Sequence, residues 1–129
     1  MRTSWVEICV SHLDESVVWF ENVLGFKAIE HDEHYAGLRR GETTILLGSD
    51  KGDYWQSERS RLPEPGTRGA GVEIVLLVDN VQQVYETARQ AGAEIVRPLE
   101  VWPWHMKQFW VRHPDGYLLR PAERITEAE

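Results

Sequence analysis

The sequence predicts an α+β fold built from two successive βαβββ modules. Several segments alternate between polar and apolar residues, two others have helical periodicity and end at a glycine, and the order strand, helix, strand, strand, strand occurs twice at an offset of about 67 residues. A chain of 129 residues is long enough to bury one core. We therefore expect a single domain over residues 1–129, with modules at about 4–49 and 70–124 and a linker at 50–69.

The first module begins with a predicted strand at residues 5–12, where Val6, Ile8 and Val10 share one face. Asp14 is placed to cap a helix over about residues 15–24, which ends at Gly25. Three further strands are predicted at 26–32, 35–40 and 43–48.

The second module repeats this order. Residues 71–78 alternate as a strand, and either Asp79 or Asn80 can cap a helix over about residues 81–91, which ends at Gly92. Three further strands are predicted at 93–97, 107–112 and 117–122, the last two joined by a turn at 113–116.

Two segments interrupt the regular pattern. The linker 50–69 is too long for a simple turn, so it is either a mobile loop or part of a lid. Pro98 is expected to end its strand, because proline cannot donate a hydrogen bond to a neighbouring strand. Residues 98–106 are then a loop that carries Trp102 and Trp104.

Composition and charge exclude several classes of protein. The net charge of −7 argues against nucleic-acid binding, which needs a basic surface. No apolar run approaches the roughly 18 residues of a membrane span, and the first residues do not resemble a signal peptide. The single cysteine, Cys9, is typical of a reducing compartment, so we expect a cytoplasmic protein. Six tryptophans are far more than a chain of this size usually carries.

Motifs in both halves match one known superfamily. They are Val10-Ser11-His12-Leu13-Asp14, Leu24-Gly25-Phe26, Val78-Asp79-Asn80, Ala91-Gly92-Ala93, and Trp104 followed by the run from Phe109 to Arg120. In this order they resemble the vicinal oxygen chelate superfamily, which includes glyoxalase I, bleomycin-resistance proteins and extradiol dioxygenases. The resemblance covers about residues 5–122. It implies that each sheet curves into a half-barrel, with its helix outside and a ligand cavity inside.

The resemblance also implies where a metal ion would be held in metal-dependent relatives, on the first and last strands of each module. The matching positions are Trp5, Leu46 or Leu47, Glu73 and Arg120. One carboxylate among four positions does not hold a divalent ion, and an arginine repels it. We therefore expect no metal and no other cofactor, as in the metal-free bleomycin-resistance branch.

Arg120 and Glu73 lie on neighbouring predicted strands at positions that would share one ion. Their side chains should therefore be within salt-bridge reach. The pair either neutralises the former ion site or releases one partner to a charged group of a ligand. Both possibilities remain open from the sequence.

The remaining candidate residues are mostly aromatic. If Phe109 and Val111 pack under the helix, Trp110 faces the cavity, whereas Trp19 is expected to be structural. The residues that we expect to bind a ligand are Trp5, Glu7, Trp55, Glu73, Trp102, Trp104, His105, Trp110 and Arg120. Flat aromatic walls suit a planar aromatic or cationic ligand, with about 0.5–2 kcal/mol gained per contact.

Three functions are compatible with this pattern. The first is a metal-independent binding protein for a small molecule, similar to bleomycin-resistance proteins, with no catalytic residue. The second is a lyase, isomerase or dioxygenase of the superfamily, with Glu73 or Glu7 as a base. The third is a regulatory or structural dimer. We expect a homodimer in each case, because two such modules leave an apolar sheet edge open.

Overall fold

The computed structural model describes residues 1–53 and 60–126. It divides into two compact units, Met1–Pro65 (unit 1) and Gly66–Glu129 (unit 2), each of which is described by itself. Neither helix in the described part of the chain has the length and apolar character needed to cross a membrane.

Unit 1 has the predicted βαβββ order. Its elements are β1 (Val6–Val10), α1 (Leu13–Leu24), β2 (Lys27–His31), β3 (Tyr35–Arg40) and β4 (Thr43–Ser49). The strands form one open sheet in the order β1-β4-β3-β2, in which β1 runs parallel to β4 and the other pairs are antiparallel.

Unit 2 has the same order and topology. Its elements are β5 (Glu73–Leu77), α2 (Val81–Gln90), β6 (Glu94–Trp102), β7 (Met106–Arg112) and β8 (Leu118–Arg124). The sheet order is β5-β8-β7-β6, with β5 parallel to β8. The prediction of an α+β fold with two βαβββ modules is therefore confirmed.

The helix of each unit covers one face of its sheet. In unit 1, Val17, Phe20 and Leu24 are buried along α1, and the Phe20 ring meets that of Phe26 edge-on at 5.5 Å. A fully buried side chain of this kind stabilises the fold by about 1.5–3 kcal/mol. Gly25 ends the helix in the left-handed conformation, with φ 71°, as predicted.

In unit 2, α2 buries Val81, Val84 and Ala88, and the Tyr85 ring lies 5.0 Å from that of Phe109 on β7. Phe109 and Val111 are both fully buried. Because side chains alternate along a strand, the residues between and beside them lie on the opposite, helix-free face.

The start of α1 differs from the prediction. The helix begins at Leu13 with His12 as its N-cap residue, so the prediction that Asp14 caps it is wrong. Asp14 lies in the first turn, and its Oδ1 is 2.9 Å from Nε2 of His31 at the end of β2. In α2, by contrast, the side chain of Asn80 accepts a hydrogen bond from the backbone N–H of Gln83, as one of the two predicted caps.

Strand β6 also differs from the prediction, because it does not end at Pro98 but continues to Trp102. It is an edge strand, and its pairing with β7 is irregular between Ile95 and Arg97 and again between Arg97 and Glu100. Proline is tolerated at an edge or a bulge, where its missing N–H is not required. Trp102 therefore lies on a strand opposite Met106, rather than in a loop.

Candidate functional site

The helix-free face of unit 2 holds the predicted salt bridge. Nη2 of Arg120 on β8 lies 3.1 Å from Oε1 of Glu73 on β5. The Arg120 side chain is 19% exposed and that of Glu73 is 35% exposed. The prediction that the two side chains are within salt-bridge reach is confirmed.

Trp110 binds the same carboxylate from β7. Its indole Nε1 donates a hydrogen bond of 2.9 Å to Oε2 of Glu73, and its ring lies 5.6 Å from the Arg120 guanidinium carbon. The prediction that Trp110 lies on the face opposite Phe109 and Val111 is confirmed, since those two residues are buried on the helix side. Both oxygens of Glu73 thus have a donor.

Gln108 is a polar residue of this face that the sequence analysis did not include among the candidates. It is fully buried, and its Oε1 accepts hydrogen bonds from Nη1 of Arg120 at 3.2 Å and from Nε1 of Trp104 at 3.4 Å. The sequence contained a usable signal, because Gln108 precedes Trp110 by two residues on one strand and therefore shares its face.

The three tryptophans of unit 2 are in contact with one another. The ring of Trp102 stacks on that of Trp104 with a centroid distance of 5.0 Å and meets Trp110 edge-on at 5.4 Å. Arg97, also missed by the sequence analysis, lies 4.7 Å from the Trp102 ring and 5.7 Å from the Trp110 ring. It does so because Arg97 pairs with Trp110 across β6 and β7.

These side chains form one connected group, which we call the tryptophan–arginine cluster. It consists of Glu73, Arg97, Trp102, Trp104, Gln108, Trp110 and Arg120. Its arginines lie over aromatic rings, and such cation–π contacts are worth about 0.5–2 kcal/mol each. The cluster therefore combines a flat aromatic surface with hydrogen-bond donors.

His105 follows the cluster in the turn between β6 and β7. It is exposed and has a left-handed backbone conformation, with φ 61°. Its backbone N–H donates to the carbonyl of Trp102, and its carbonyl accepts from the N–H of Ile125. A ligand contact by His105 remains a prediction.

Unit 1 presents a different helix-free face. Nε1 of Trp5 donates to Oε1 of Glu7 at 3.1 Å, and Trp5 is 56% exposed. Beside Trp5 lies an open cavity of about 560 Å³, whose lining includes Ile29, Glu30, Tyr35, Arg39 and Leu46.

Tyr35 is a titratable group that lines this cavity. Partial burial raises the pKa of the Tyr35 phenol above its ordinary value, and the neighbouring Glu30 carboxylate raises it further. Like an ordinary tyrosine, the phenol is protonated at neutral pH and can donate a hydrogen bond.

At the four positions that the resemblance assigns to a metal ion, unit 1 carries Trp5 and either Leu46 or Leu47, and unit 2 carries Glu73 and Arg120. Glu73 supplies the one carboxylate, and its oxygens are engaged by Arg120 and Trp110. Residues 1–53 and 60–126 contain no group of three or more His, Cys, Asp or Glu side chains arranged to hold a metal. The side chains at these positions do not fit a divalent cation.

Two reactive side chains, those of Cys9 and His113, are buried and hydrogen-bonded within the fold. Cys9 is buried, and its Sγ donates to Oδ1 of Asp50 at 3.0 Å. His113 is also buried, and its Nδ1 accepts from the backbone N–H of Asp115, as expected of a turn residue. Burial lowers the pKa of His113 to about 4, although the nearby Asp115 opposes that shift. Trp55, the remaining predicted site residue, lies outside the described residues.

Comparison with known proteins places this architecture among related structures. The fold is similar to that of TioX from Micromonospora sp. ML1, with 23% identity, 96% of this chain and 97% of that chain covered, and a TM-score of 0.72. A glyoxalase/bleomycin resistance protein/dioxygenase family enzyme from Burkholderia phytofirmans PsJN is 21% identical over 95% and 98% of the two chains, with a TM-score of 0.78.

A bleomycin-binding protein in complex with bleomycin is 17% identical, with 96% and 99% of the two chains covered and a TM-score of 0.71. Comparison with curated protein sequences finds no match. The model of the Glyoxalase/Bleomycin resistance protein/Dioxygenase superfamily matches residues 2–120. With that match over nearly the whole length and the two βαβββ units in place, this chain belongs to the glyoxalase/bleomycin resistance protein/dioxygenase superfamily.

Proposed function

We propose that this protein binds a small, planar aromatic molecule at the tryptophan–arginine cluster and does so without a metal ion. The observation that carries the proposal is the grouping of three tryptophans and two arginines on the helix-free face of unit 2. Sheet faces that only fill a core do not need this many indole rings and cations in contact.

The aromatic part of the proposal is supported by the geometry of the rings. The rings of Trp102 and Trp104 are nearly parallel, with 24° between their planes, and Trp104 is 50% exposed. A partly exposed, stacked pair offers a flat surface to a further ring, and offset stacking contributes about 0.5–1.5 kcal/mol beyond burial.

The metal-independent part is supported by the partners of Glu73. A carboxylate that accepts from Arg120 and from Trp110 has its charge compensated and its oxygens engaged. A cation bound to the same carboxylate would lie beside the positive Arg120, which repels it. The same engagement argues against Glu73 as a general base.

The relatives are consistent with a binding function. One similar fold belongs to a bleomycin-binding protein, which shows that this architecture can hold a drug-sized molecule. We extend to this chain only the class of function, a small-molecule-binding protein, and not that protein's ligand.

A homodimer remains part of the proposal. Val75 and Leu77 of β5 are 40% and 56% exposed, which places apolar side chains at an edge of the unit 2 sheet. Such an edge favours association with a second surface. A cytoplasmic location rests on the single Cys9 alone.

The proposal is tested by tryptophan fluorescence. The purified protein is first analysed for bound metals and then titrated with a panel of planar aromatic compounds, in the presence and absence of a chelator. We expect saturable quenching that the chelator does not change, and a ligand recovered unaltered by mass spectrometry. Absence of quenching by every compound, binding only after a divalent metal is added, or conversion of the ligand would contradict the proposal.

A further inference from the structure

The tryptophan–arginine cluster contains buried hydrogen-bond donors that have no acceptor. Among the described residues, three buried side-chain nitrogen or oxygen atoms have no hydrogen-bond partner: Nε1 of Trp102, Nε2 of Gln108 and Nε of Arg120. All three are N–H donors, and all three belong to the cluster. A buried donor without an acceptor is unfavourable, so three of them in one group call for an explanation.

The orientation of the Gln108 amide follows from its partners. Its Oε1 accepts from Arg120 and from Trp104, both of which can only donate. The opposite end of the amide must therefore be the NH₂ group, which carries two hydrogens. Since Gln108 is fully buried, these two hydrogens are not accessible to water at the protein surface.

The carboxylates that contact the arginines of the cluster already have partners. Glu73 accepts from Arg120 and Trp110, and Glu100 lies 3.6 Å from Nη2 of Arg97 in an exposed ion pair. Because both arginines have carboxylate partners, the cluster lacks acceptors for its unmatched N–H donors and not negative charge as such. A ligand that brought further N–H or ammonium donors would increase the mismatch, whereas one that brought acceptor oxygens would remove it.

We infer that the aromatic ligand carries an anionic oxygen group, of which a carboxylate is the simplest example. This inference rests on the proposed function and specifies the ligand class of the same site. The ring of the ligand stacks beside Trp102 and Trp104, and the oxygens accept from the Gln108 amide and the Arg120 guanidinium. Charge-assisted hydrogen bonds from arginine to a carboxylate are the strong ones.

Trp104 is the side chain that must move to admit these oxygens. It is half exposed and is tied to Gln108 by a long hydrogen bond of 3.4 Å. It precedes His105, whose left-handed backbone is unfavourable for a residue with a Cβ. A shift of the Trp104 ring that breaks this hydrogen bond but keeps the ring beside Trp102 exposes the Gln108 amide to a group on the ligand.

The test compares three probes that share one ring system: naphthoate, naphthamide and naphthylmethylammonium. Affinity is measured by tryptophan fluorescence in metal-free buffer. We expect naphthoate to bind at least about tenfold more tightly than the ammonium probe, with the amide between them. Equal affinities, or a preference for the ammonium, overturn the inference and leave the aromatic binding function standing. Failure of all three to bind overturns both.

A matched pair of variants locates the effect. Gln108→Glu keeps the shape of the side chain but replaces the NH₂ donors with a carboxylate, so we expect naphthoate affinity to fall at least about tenfold and the preference for naphthoate over the ammonium to shrink or reverse. Arg89→Gln, which removes a charge from the helix side of unit 2, leaves both affinities unchanged. Unchanged naphthoate affinity in folded Gln108→Glu contradicts the inference.

Arg120→Lys provides a second test if Gln108→Glu does not fold, as judged by circular dichroism. It retains the positive charge but lacks the Nε donor and the planar fork of the guanidinium. We expect the naphthoate preference to fall by at least about fivefold. A preference that persists in full contradicts the inference.

Discussion

The two units share one topology, but the helix-free faces of their sheets carry different side chains and differ in how far they are filled. The face of unit 1 borders an open cavity of about 560 Å³, and its exposed Trp5 donates to Glu7. The face of unit 2 is filled by the tryptophan–arginine cluster, with three buried donors unmatched. The last strand of unit 1 presents Leu46 to its cavity, whereas that of unit 2 presents Arg120 to Glu73. Topology therefore fixes where a face lies, and a few side chains on it determine its chemistry.

The turns that precede the last strands of the two units also differ, in how deeply their residues are buried. Gly41 and Glu42 link β3 to β4 and are exposed. The longer turn between β7 and β8 buries His113 and Asp115, which are 1% and 3% exposed. Unit 2 thus holds a titratable group in a place where unit 1 holds solvated residues.

The largest expected effect follows from this buried histidine. Burial lowers the pKa of His113 to about 4, so the folded state holds the neutral ring. The stability that depends on the neutral form is fully present above the ordinary pKa of about 6.5 and is lost as the pH falls through about 4. The shift of the His113 pKa from about 6.5 to about 4 corresponds to about 3 kcal/mol in the free energy of unfolding.

Denaturant unfolding at pH 7.5 and pH 4, with hydrogen exchange resolved by residue, measures this effect. Unit 2 amides near the turn should lose protection before those of unit 1. The variant His113→Asn is the control, because it removes the buried imidazole that titrates and should therefore lose this part of the pH dependence. Equal stability at both pH values, or earlier loss of protection in unit 1, would contradict the assignment.

The second-largest expected effect is a loss of ligand affinity when Arg120 is replaced. Arg120→Ala should weaken naphthoate binding by about ten- to a hundredfold, because hydrogen bonds to charged groups are worth about 1.5–3 kcal/mol. Arg89→Ala, on α2, is the matched control and should not change the dissociation constant. A large fall in Tm together with unchanged affinity would show that the ion pair with Glu73 has only a structural role.

Trp110→Phe should have a smaller effect. The substitution keeps a ring beside Arg120 but removes the N–H that donates to Glu73. We expect about a three- to tenfold loss of naphthoate affinity, equivalent to about 1 kcal/mol. The same substitution at Trp19, which packs against Phe20 on α1, should leave affinity unchanged. Equal losses for the two variants would mean that the effect is not specific to the cluster.

The smallest effect is expected in unit 1. Trp5 is more than half exposed, and the hydrogen bond to Glu7 is at the surface. Trp5→Phe should change the free energy of unfolding by about 0.5 kcal/mol or less, as measured by denaturant unfolding. It should change naphthoate affinity by no more than about threefold, as measured by isothermal titration calorimetry. A tenfold loss would remove the distinction drawn between the two faces.

The sequence was sufficient to predict the order of elements, because alternation, helical periodicity and the glycines after both helices are local signals. The resemblance to the superfamily predicted the contact between Glu73 and Arg120, because it places both residues at positions that would share one ion. The predicted Asp14 cap was wrong because the helix begins at Leu13, which places Asp14 inside the first turn and not at the N-cap position.

The interior of the cluster was harder to predict. Strand β6 passes Pro98 only because it is an edge strand with irregular pairing, and neither property is visible in the sequence alone. That irregular register brings Arg97 to Trp110 and Trp102 to its neighbours. The role of Gln108 depends on contacts with Arg120 and Trp104, which come from another strand and from a turn.

The most direct test of metal-free aromatic binding at the cluster is nuclear magnetic resonance of indole-¹⁵N-labelled protein, with the six tryptophan N–H signals assigned by single Trp→Phe variants. Naphthoate is added in the presence of a chelator. We predict that the Trp102, Trp104 and Trp110 signals shift, while that of Trp19 stays unchanged. If no indole signal of unit 2 shifts, or if the shifts appear only after a divalent metal is supplied, the account is contradicted.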